Sequence, residues 1–244
     1  MGGELVRCAV DGGVATITLD SPANRNALSR QLVADLHIAL DIAEAAAARV
    51  IVLTHTAPAF CSGADLRERT DGPVDSSPMV AVLRRLSEGD IPSIAAVDGP
   101  VRAGGVGLMA SCDLVVVRRD ATFAFTEVRI GAAPAIISVP LLARCGWSRL
   151  AAPFLTGEAF DAAEALTMGL VTHVTDDVAA MADTLARRIL LGGPHAVAAT
   201  KRLLRRAGDW HEMQRLSEAL FAGAEAAEGM RAFADKRAPS WAAP

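Results

Sequence analysis

Residues 91–114 read IPSIAAVDGPVRAGGVGLMASCDL. Ile94 to Val97 is a short apolar run of strand type, and Asp98-Gly99-Pro100 is a turn. A helix of small residues is predicted from near Gly104 to just before Asp113. Leu114 to Val117 then returns to strand character. The glycines of this stretch allow several chemistries, and spacing removes two. Gly99 and Gly104 have the separation of a P-loop, but Gly105 stands where that loop needs its lysine. Gly105 to Ala110 fits a loose G-x-G-x-x-A pattern, but the preceding strand ends near residue 97. That is too early for a dinucleotide strand-turn-helix. Two readings remain: close packing through small residues, or an anion or oxyanion site at backbone N–H groups of a helix start.

Upstream, AFCSGADL at 59–66 follows a strand and carries Gly and Ala where a backbone can approach a ligand. It is not G-x-S-x-G, and no histidine is placed to serve Cys61 or Ser62 as a base. Cys61 reads as packing and Asp65 as a cap or ion-pair partner. Downstream, FAFTEVRIG at 123–131 sets Glu127 among aromatic and β-branched residues. Burial there would raise its pKa toward the range useful in acid–base work. The alternative is an ordinary helix-start glutamate paired with Arg129 or another neighbour.

The rest of the chain frames these segments. Leu5–Val10 and Val14–Leu19 read as a hairpin turned by Asp11-Gly12-Gly13. Ser29 is an N-cap for a helix over 30–47, with Leu32, Leu36, Ala39, Leu40 and Ala43 at helical spacing. Val50–Leu53 is a buried strand, 57–77 is irregular, and Pro78 opens a helix to about Ser87. After about residue 138 the strands are expected to stop. Helices are predicted over 139–145, 148–155, 161–168, 177–191, 195–207 and 210–228. The last carries an apolar stripe of Met213, Leu216, Leu220, Ala224 and Ala227. The layout is α/β, with a strand-helix core over 1–137 and a helical region over 138–244 that packs on the core or on another subunit.

Composition narrows the function classes. Hydrophobic residues make up 52% of the 244 and charged residues 21%, enough for a sizeable core. The formal charge of -4 supplies no broad positive field for nucleic acid. The four cysteines (8, 61, 112, 145) form no CxxC pair, and the five histidines form no HxH or HExxH, so a metal site is not expected. The N-terminus lacks a signal-peptide layout, and no run of 18 uncharged apolar residues occurs. A soluble cytoplasmic protein without membrane contact is the expectation.

Taken together and in order, NRNALS, AFCSGADL, IPSIAAVDGPVRAGGVGLMASCDL, FAFTEVRIG and the closing MRAFADKRAPSW resemble the enoyl-CoA hydratase/isomerase superfamily, also called the crotonase family. The resemblance spans essentially the whole chain. It implies the ClpP/crotonase spiral of ββα units with a C-terminal helical region. It implies an acyl-thioester site in which two backbone N–H groups hold the thioester oxygen, matching Ala64 and Gly104 here. Coenzyme A is then part of the substrate, and no separate cofactor is expected.

Hydratases of the family use two glutamates. The second matches Glu127, but the first matches Gly107, which has no side chain. Glu68, Asp71 and Asp75 lie in the nearby loop and are candidates to help. A lone glutamate also resembles the family's isomerases, which move a 3-enoyl double bond to position 2. The wording EVRIGAAPAIIS resembles a branch containing hydratases of branched or glutaconyl-type thioesters. The reading is therefore a hydratase of 2-enoyl-CoA, with an isomerase using Glu127 alone or a non-enzymatic scaffold as alternatives. Arg25 and Lys236 are the candidate ligands of the CoA portion, Lys236 from a neighbouring subunit, within a homotrimer or hexamer. Met79, Val82, Val139, Leu142 and Trp147 are candidate pocket walls, each equally placed to be core.

Overall fold

The structure, a computed structural model, describes residues 4–69, 75–206 and 208–242. It opens with β1 (Val6–Asp11) and β2 (Val14–Leu19), antiparallel, with Asp11 opposite Val14. Gly12 and Gly13 both take positive φ, 52° and 81°, as a two-residue turn of this hand requires. In α1 (Arg30–Ala45), Ser29 caps the first turn by accepting from the Leu32 N–H at 3.2 Å. The buried face of α1 includes Leu32, Leu36, Ala39, Leu40 and Ala43, the residues that the helical spacing selects.

The chain then repeats one pattern: a strand in a large sheet, a turn, and a helix. After β3 (Val50–His55) comes α2 (Ser77–Glu88). After β4 (Ser93–Val97) and the two-residue β5 (Val101–Arg102) comes α3 (Gly104–Ala110). After β6 (Leu114–Arg118) and β7 (Thr122–Ala124) comes α4 (Ala135–Cys145). This is the expected ββα spiral. In β4 every residue is buried, as is usual where helices cover both faces of a parallel sheet.

The strands do not stop at residue 138. Beyond α5 (Trp147–Thr156), β8 (Phe160–Asp161) joins β7 and β5 in a three-stranded sheet. After α6 (Ala162–Thr167), β9 (His173–Thr175) closes a six-stranded sheet of order β1-β2-β3-β4-β6-β9. Strands of two and three residues carry no periodicity to read. They are held by partners: the Val115 N–H donates to Thr172 Oγ1 at 2.9 Å, and Thr172 N–H to the Val115 carbonyl at 2.9 Å. Next, α7 (Val178–Leu190) lays Val178, Ala182 and Leu185 on the far face of the sheet, against Val50, Val52, Ile94 and Val116.

The chain continues through α8 (Pro194–Arg205). The single helix expected over 210–228 is instead two, α9 (Trp210–Phe221) and α10 (Ala224–Ala234). Gly223 between them is extended, at φ -77° and ψ 157°, which interrupts the apolar stripe. Among the described residues no helix is long and apolar enough to cross a membrane.

The short helix α3 is anchored at its C-terminal end. From α4, Arg144 donates to the carbonyls of Ala110 (3.0 Å), Cys112 (2.7 Å) and Asp113 (3.0 Å). From α8, Arg205 donates to Asp113 Oδ1 at 3.0 Å. Lys201, 4% exposed, pairs with Asp113 Oδ2 at 3.0 Å and donates to the Leu86 and Ile91 carbonyls at 2.8 and 2.7 Å. Cations on the last carbonyls of a helix satisfy orphan acceptors and oppose its dipole. Lys201→Met removes one cation and strands two buried carbonyls. It should lower unfolding free energy in urea by about 3–5 kcal/mol; an unchanged midpoint would show that the cluster is not structural.

Candidate active site

Three backbone segments lie side by side at the start of α3. Leu28 pairs with Ala64, and Cys61 with Val101, each as a parallel bridge. Arg102 N–H donates to the Cys61 carbonyl at 2.9 Å. The approach is closer than side chains permit. A Cβ on Gly63 would stand 2.9 Å from the Ala103 Cβ, and one on Gly105 2.6 Å from the Cys61 Cβ. Gly63 has φ +92°, open only to a residue without Cβ strain. Ala103 has a side chain and still sits at φ 48°, ψ -124°, a strained conformation costing about 1–3 kcal/mol. It is held there by its own N–H to the Ala124 carbonyl at 2.9 Å. The Arg102 guanidinium adds bonds to Val101 O and Thr122 O, at 2.9 and 2.7 Å.

Two amides are left over. Leu28 takes the groups on either side of Ala64: its N–H donates to Gly63 O, and its carbonyl accepts from Asp65 N–H. The Ala64 N–H therefore points away from Leu28. The Ala103 kink turns the chain from β5 into α3 and leaves Gly104 as the first helical residue, with no carbonyl one turn back to receive its N–H. Among the described residues neither N–H meets an acceptor. Both residues line one cavity of about 1040 Å³. Two such donors converging on a cavity can hold an oxygen on which negative charge develops.

Glu127 lines the same cavity, in a single 3-10 turn over Thr126–Ile130 closed by Gly131 at φ 74°. Its Oε2 is buried without a hydrogen-bond partner. Burial pushes its pKa above the ordinary carboxylate value, partly offset by its own backbone N–H. Arg129 does not pair with it, since its Nε donates to the Gly157 carbonyl at 3.1 Å. The structural reading of Glu127 as an Arg129 partner is thus removed.

The other cavity acids are occupied. Glu68 Oε2 accepts from the Arg30 N–H at 2.8 Å, Asp75 Oδ1 from the Ser77 N–H at 2.8 Å, and Asp65 is held by Arg67 at 2.8 Å. Asp71 lies outside the described residues. Cys61 and Cys112 are fully buried, and burial pushes their thiols up to about 12, far from a nucleophile's range. No group of three or more potential metal ligands occurs among the described residues.

Gly107, one turn along α3 from Gly104, marks where a second carboxylate could have stood. Its side-chain space is filled. A Cβ there would lie 2.2 Å from Ile137 Cγ2 and 2.5 Å from Ile137 Cβ. The buried Ile137 comes from α4 and lines the cavity. No local pattern in the sequence marks this contact, nor His37, which lines the cavity with its Nε2 donating to the Pro78 carbonyl at 2.9 Å. Of the expected walls, Met79 lines the cavity and Val82 is core. Val139, Leu142 and Trp147 are exposed on other faces and line nothing here. Arg25 is exposed and outside the lining, joined to it through its carbonyl, which accepts from the Ser62 N–H at 3.0 Å. Lys236 lies on the exposed turn after α10, away from this chain's cavity.

A two-sheet ββα spiral followed by a helical region defines a crotonase-like fold. A sequence model of the enoyl-CoA hydratase/isomerase family matches residues 9–244, and the chain belongs to that family. The mevalonyl-coenzyme A hydratase sidH of Aspergillus fumigatus is 34% identical over 246 residues, covering 93% of this chain and 91% of that protein. The enoyl-CoA hydratase EchA19 of Mycobacterium tuberculosis is 34% identical over 251 residues, covering 94% and 93%. A crystal structure of enoyl-CoA hydratase from Mycobacterium smegmatis superposes with a TM-score of 0.90 at 30% identity, covering 98% and 99% of the two chains. The chemistry is accordingly of the enoyl-CoA hydratase/isomerase type.

Two outcomes test the packing and the charge of this site. Gly107→Ala should cost about 1–3 kcal/mol in urea unfolding through overpacking against Ile137; no loss would mean that α4 yields freely. The raised pKa of Glu127 means that the folded protein binds its proton more tightly than the unfolded chain. Its contribution is therefore complete below the ordinary carboxylate value and is lost as pH rises through the folded pKa. Glu127→Gln should gain stability relative to wild type across that window. Unfolding temperatures at pH 4 and pH 8 read this difference, and an equal difference at both would contradict it.

Proposed function

We propose that the protein adds water across the 2,3 double bond of a 2-enoyl-CoA thioester. The N–H groups of Ala64 and Gly104 hold the thioester oxygen, and Glu127 is the one side-chain acid–base group. The observation that carries this reading is the unpartnered, buried Oε2 of Glu127 in the cavity onto which both free amides open. The ionised carboxylate takes a proton from water as the water oxygen bonds to C3. The electrons of the double bond pass to the thioester oxygen as an enolate, which the two amides stabilise. Loss of one such donor costs roughly 3 kcal/mol of barrier. The carboxylic acid then returns the same proton to C2 and the enolate collapses, so that one water has been added. Burial raises the Glu127 pKa and makes it a stronger base toward water than an exposed carboxylate.

One observation favours a second reading. With Ile137 filling the space beside Gly107, α3 offers no second carboxylate, and the other described cavity acids are paired elsewhere. That is sufficient to carry a proton from C2 to C4 of a 3-enoyl thioester. The hydratase reading is preferred because full-length relatives at 34% identity are named hydratases.

Around this centre, residues 1–137 supply the thioester site and 138–244 serve assembly and pocket closure. Arg25 sits one backbone hydrogen bond from the cavity rim, where it can meet CoA phosphate. Lys236 reaches CoA only from a neighbouring chain. Trp147, Trp210, Phe221 and Phe233, each more than two-thirds exposed, need cover, and a homotrimer or hexamer supplies it. Light scattering should give the mass of three or six chains; a monomer mass would remove the role for Lys236. The four free, buried cysteines fit the cytoplasm.

The reaction test is product analysis in heavy-oxygen water. Wild type with 2-enoyl-CoA should place label at C3, and Glu127→Gln should lose about 10²–10⁴-fold in rate with much smaller change in thioester affinity. Double-bond migration from 3-enoyl-CoA without label uptake would instead establish the isomerase. Binding and turnover both absent would leave a scaffold.

A further inference from the structure

The direction of the Gly104 N–H is set by the residue before it. Rotation about the Cα–C bond of Ala103 turns the peptide plane that bears this N–H. At φ 48° and ψ -124°, Ala103 lies outside even the left-handed helical basin, in a region that glycine enters freely and alanine does not. Relaxation of ψ to an extended or right-handed helical value would turn that plane by roughly 80–120°. The N–H would then lose its present aim.

The strand that leads into Ala103 offers little main chain to resist this. β5 has two residues, with Val101 opposite Phe123 and Arg102 opposite Ala124 on β7. On its other side a single bridge joins Val101 to Cys61. The Arg102 side chain adds a second attachment. Its Nη1 donates to the Val101 carbonyl at 2.9 Å and to the Thr122 carbonyl at 2.7 Å, and its Nη2 donates to Thr122 Oγ1 at 3.0 Å. Thr122 thus holds the guanidinium, and Ala124 of the same strand holds the Ala103 N–H. The planar fork locks β5 onto β7 in this register. Stability alone does not account for the choice of residue. Arg102 is half-buried, no carboxylate pairs with it among the described residues, and burial lowers its pKa with no anion to offset it. A partly desolvated cation without a counter-ion is unfavourable.

We infer that Arg102 is a positioning residue of the reaction: its guanidinium braces β5 against β7, holds Ala103 in its strained conformation, and so keeps the Gly104 N–H aimed into the cavity. The inference rests on the thioester site proposed above and adds the residue that holds one of its two donors in place. Arg102 does not line the cavity, so it acts through the main chain and not by touching the thioester. Brace and strain belong together. With glycine at position 103 there is no strain to resist, and the guanidinium has nothing left to hold.

A double-mutant cycle on the whole protein tests this. Rates are read with crotonyl-CoA for hydration and with 3-hexenoyl-CoA for isomerisation, and the cycle uses whichever reaction wild type performs. Arg102→Met keeps the reach of the side chain and removes the fork. It should lower kcat about 10–100-fold, because a displaced oxyanion donor is felt most in the transition state, and should change KM by less than about threefold. In the Ala103→Gly background the same substitution should cost less than about threefold in kcat, measured against Ala103→Gly itself. Thr122→Val removes one acceptor of the brace and leaves the charge, which keeps the test open if Arg102→Met does not fold. It should lower kcat about two- to fivefold, and that loss too should vanish in the Ala103→Gly background. Equal losses in both backgrounds would overturn the inference, as would full rescue of kcat by Arg102→Lys, which keeps the charge without the fork. An active wild type with uncoupled losses leaves the thioester site standing and removes only the brace. A wild type inactive with both thioesters fells the two readings together.

Discussion

The site depends on one contact between two stretches of main chain. Residues 61–64 and 101–104 approach so closely that Gly63 could not bear a side chain beside Ala103, and Gly105 could not bear one beside Cys61. Each segment spends most of its polar groups on its neighbours and leaves one N–H over. Strain at Ala103 is the cost of turning β5 abruptly into α3 so that the Gly104 amide emerges at the turn. These donors are main-chain atoms on packed elements, so they are fixed before any ligand arrives. Preorganisation of this kind is what makes charge stabilisation effective in catalysis. The far end of α3 is fixed as firmly, by Arg144, Lys201 and Arg205 on the carbonyls and carboxylate around Asp113. A seven-residue helix has little stability of its own, and these two attachments set its position.

The second constraint is the seat of α4. Ile137 lies in the hollow left by Gly107, and even its Cβ is too near for an alanine at 107. The packing that brings α4 onto α3 therefore excludes a second carboxylate from the helix. In the hydration proposed above, Glu127 then both accepts and returns the proton. The same packing closes the interior beneath α3.

Much of the fold was legible because the relevant signals are local. Ser29 and the repeat of Leu32, Leu36 and Leu40 mark α1, two glycines make the first turn, and Pro78 stands in the first turn of α2. The unlegible parts depend on distant partners. Strands β8 and β9 are too short for periodicity and exist because β7 and β6 offer them edges. Gly223 breaks a stripe that otherwise reads as continuous helix. In the site, spacing alone left the glycines around 104 between packing and anion binding, and family resemblance singled out Ala64 and Gly104. Sequence leaves Glu127 between two readings, and the bond from Arg129 to the Gly157 carbonyl separates them. Periodicity states which residues of α4 share a face but not what that face meets. Ile136 and Ile137 line the cavity without a local sign of it, while Val139, Leu142 and Trp147, which could be wall or core, are neither and lie exposed.

A crystal structure of the protein with acetoacetyl-CoA tests most directly whether two main-chain amides receive the thioester oxygen. The thioester carbonyl oxygen should lie roughly 2.7–3.1 Å from both the Ala64 and the Gly104 nitrogens, with the Glu127 carboxyl facing C2 and C3. A productive complex with that oxygen bound elsewhere, or bound by one amide alone, would contradict it.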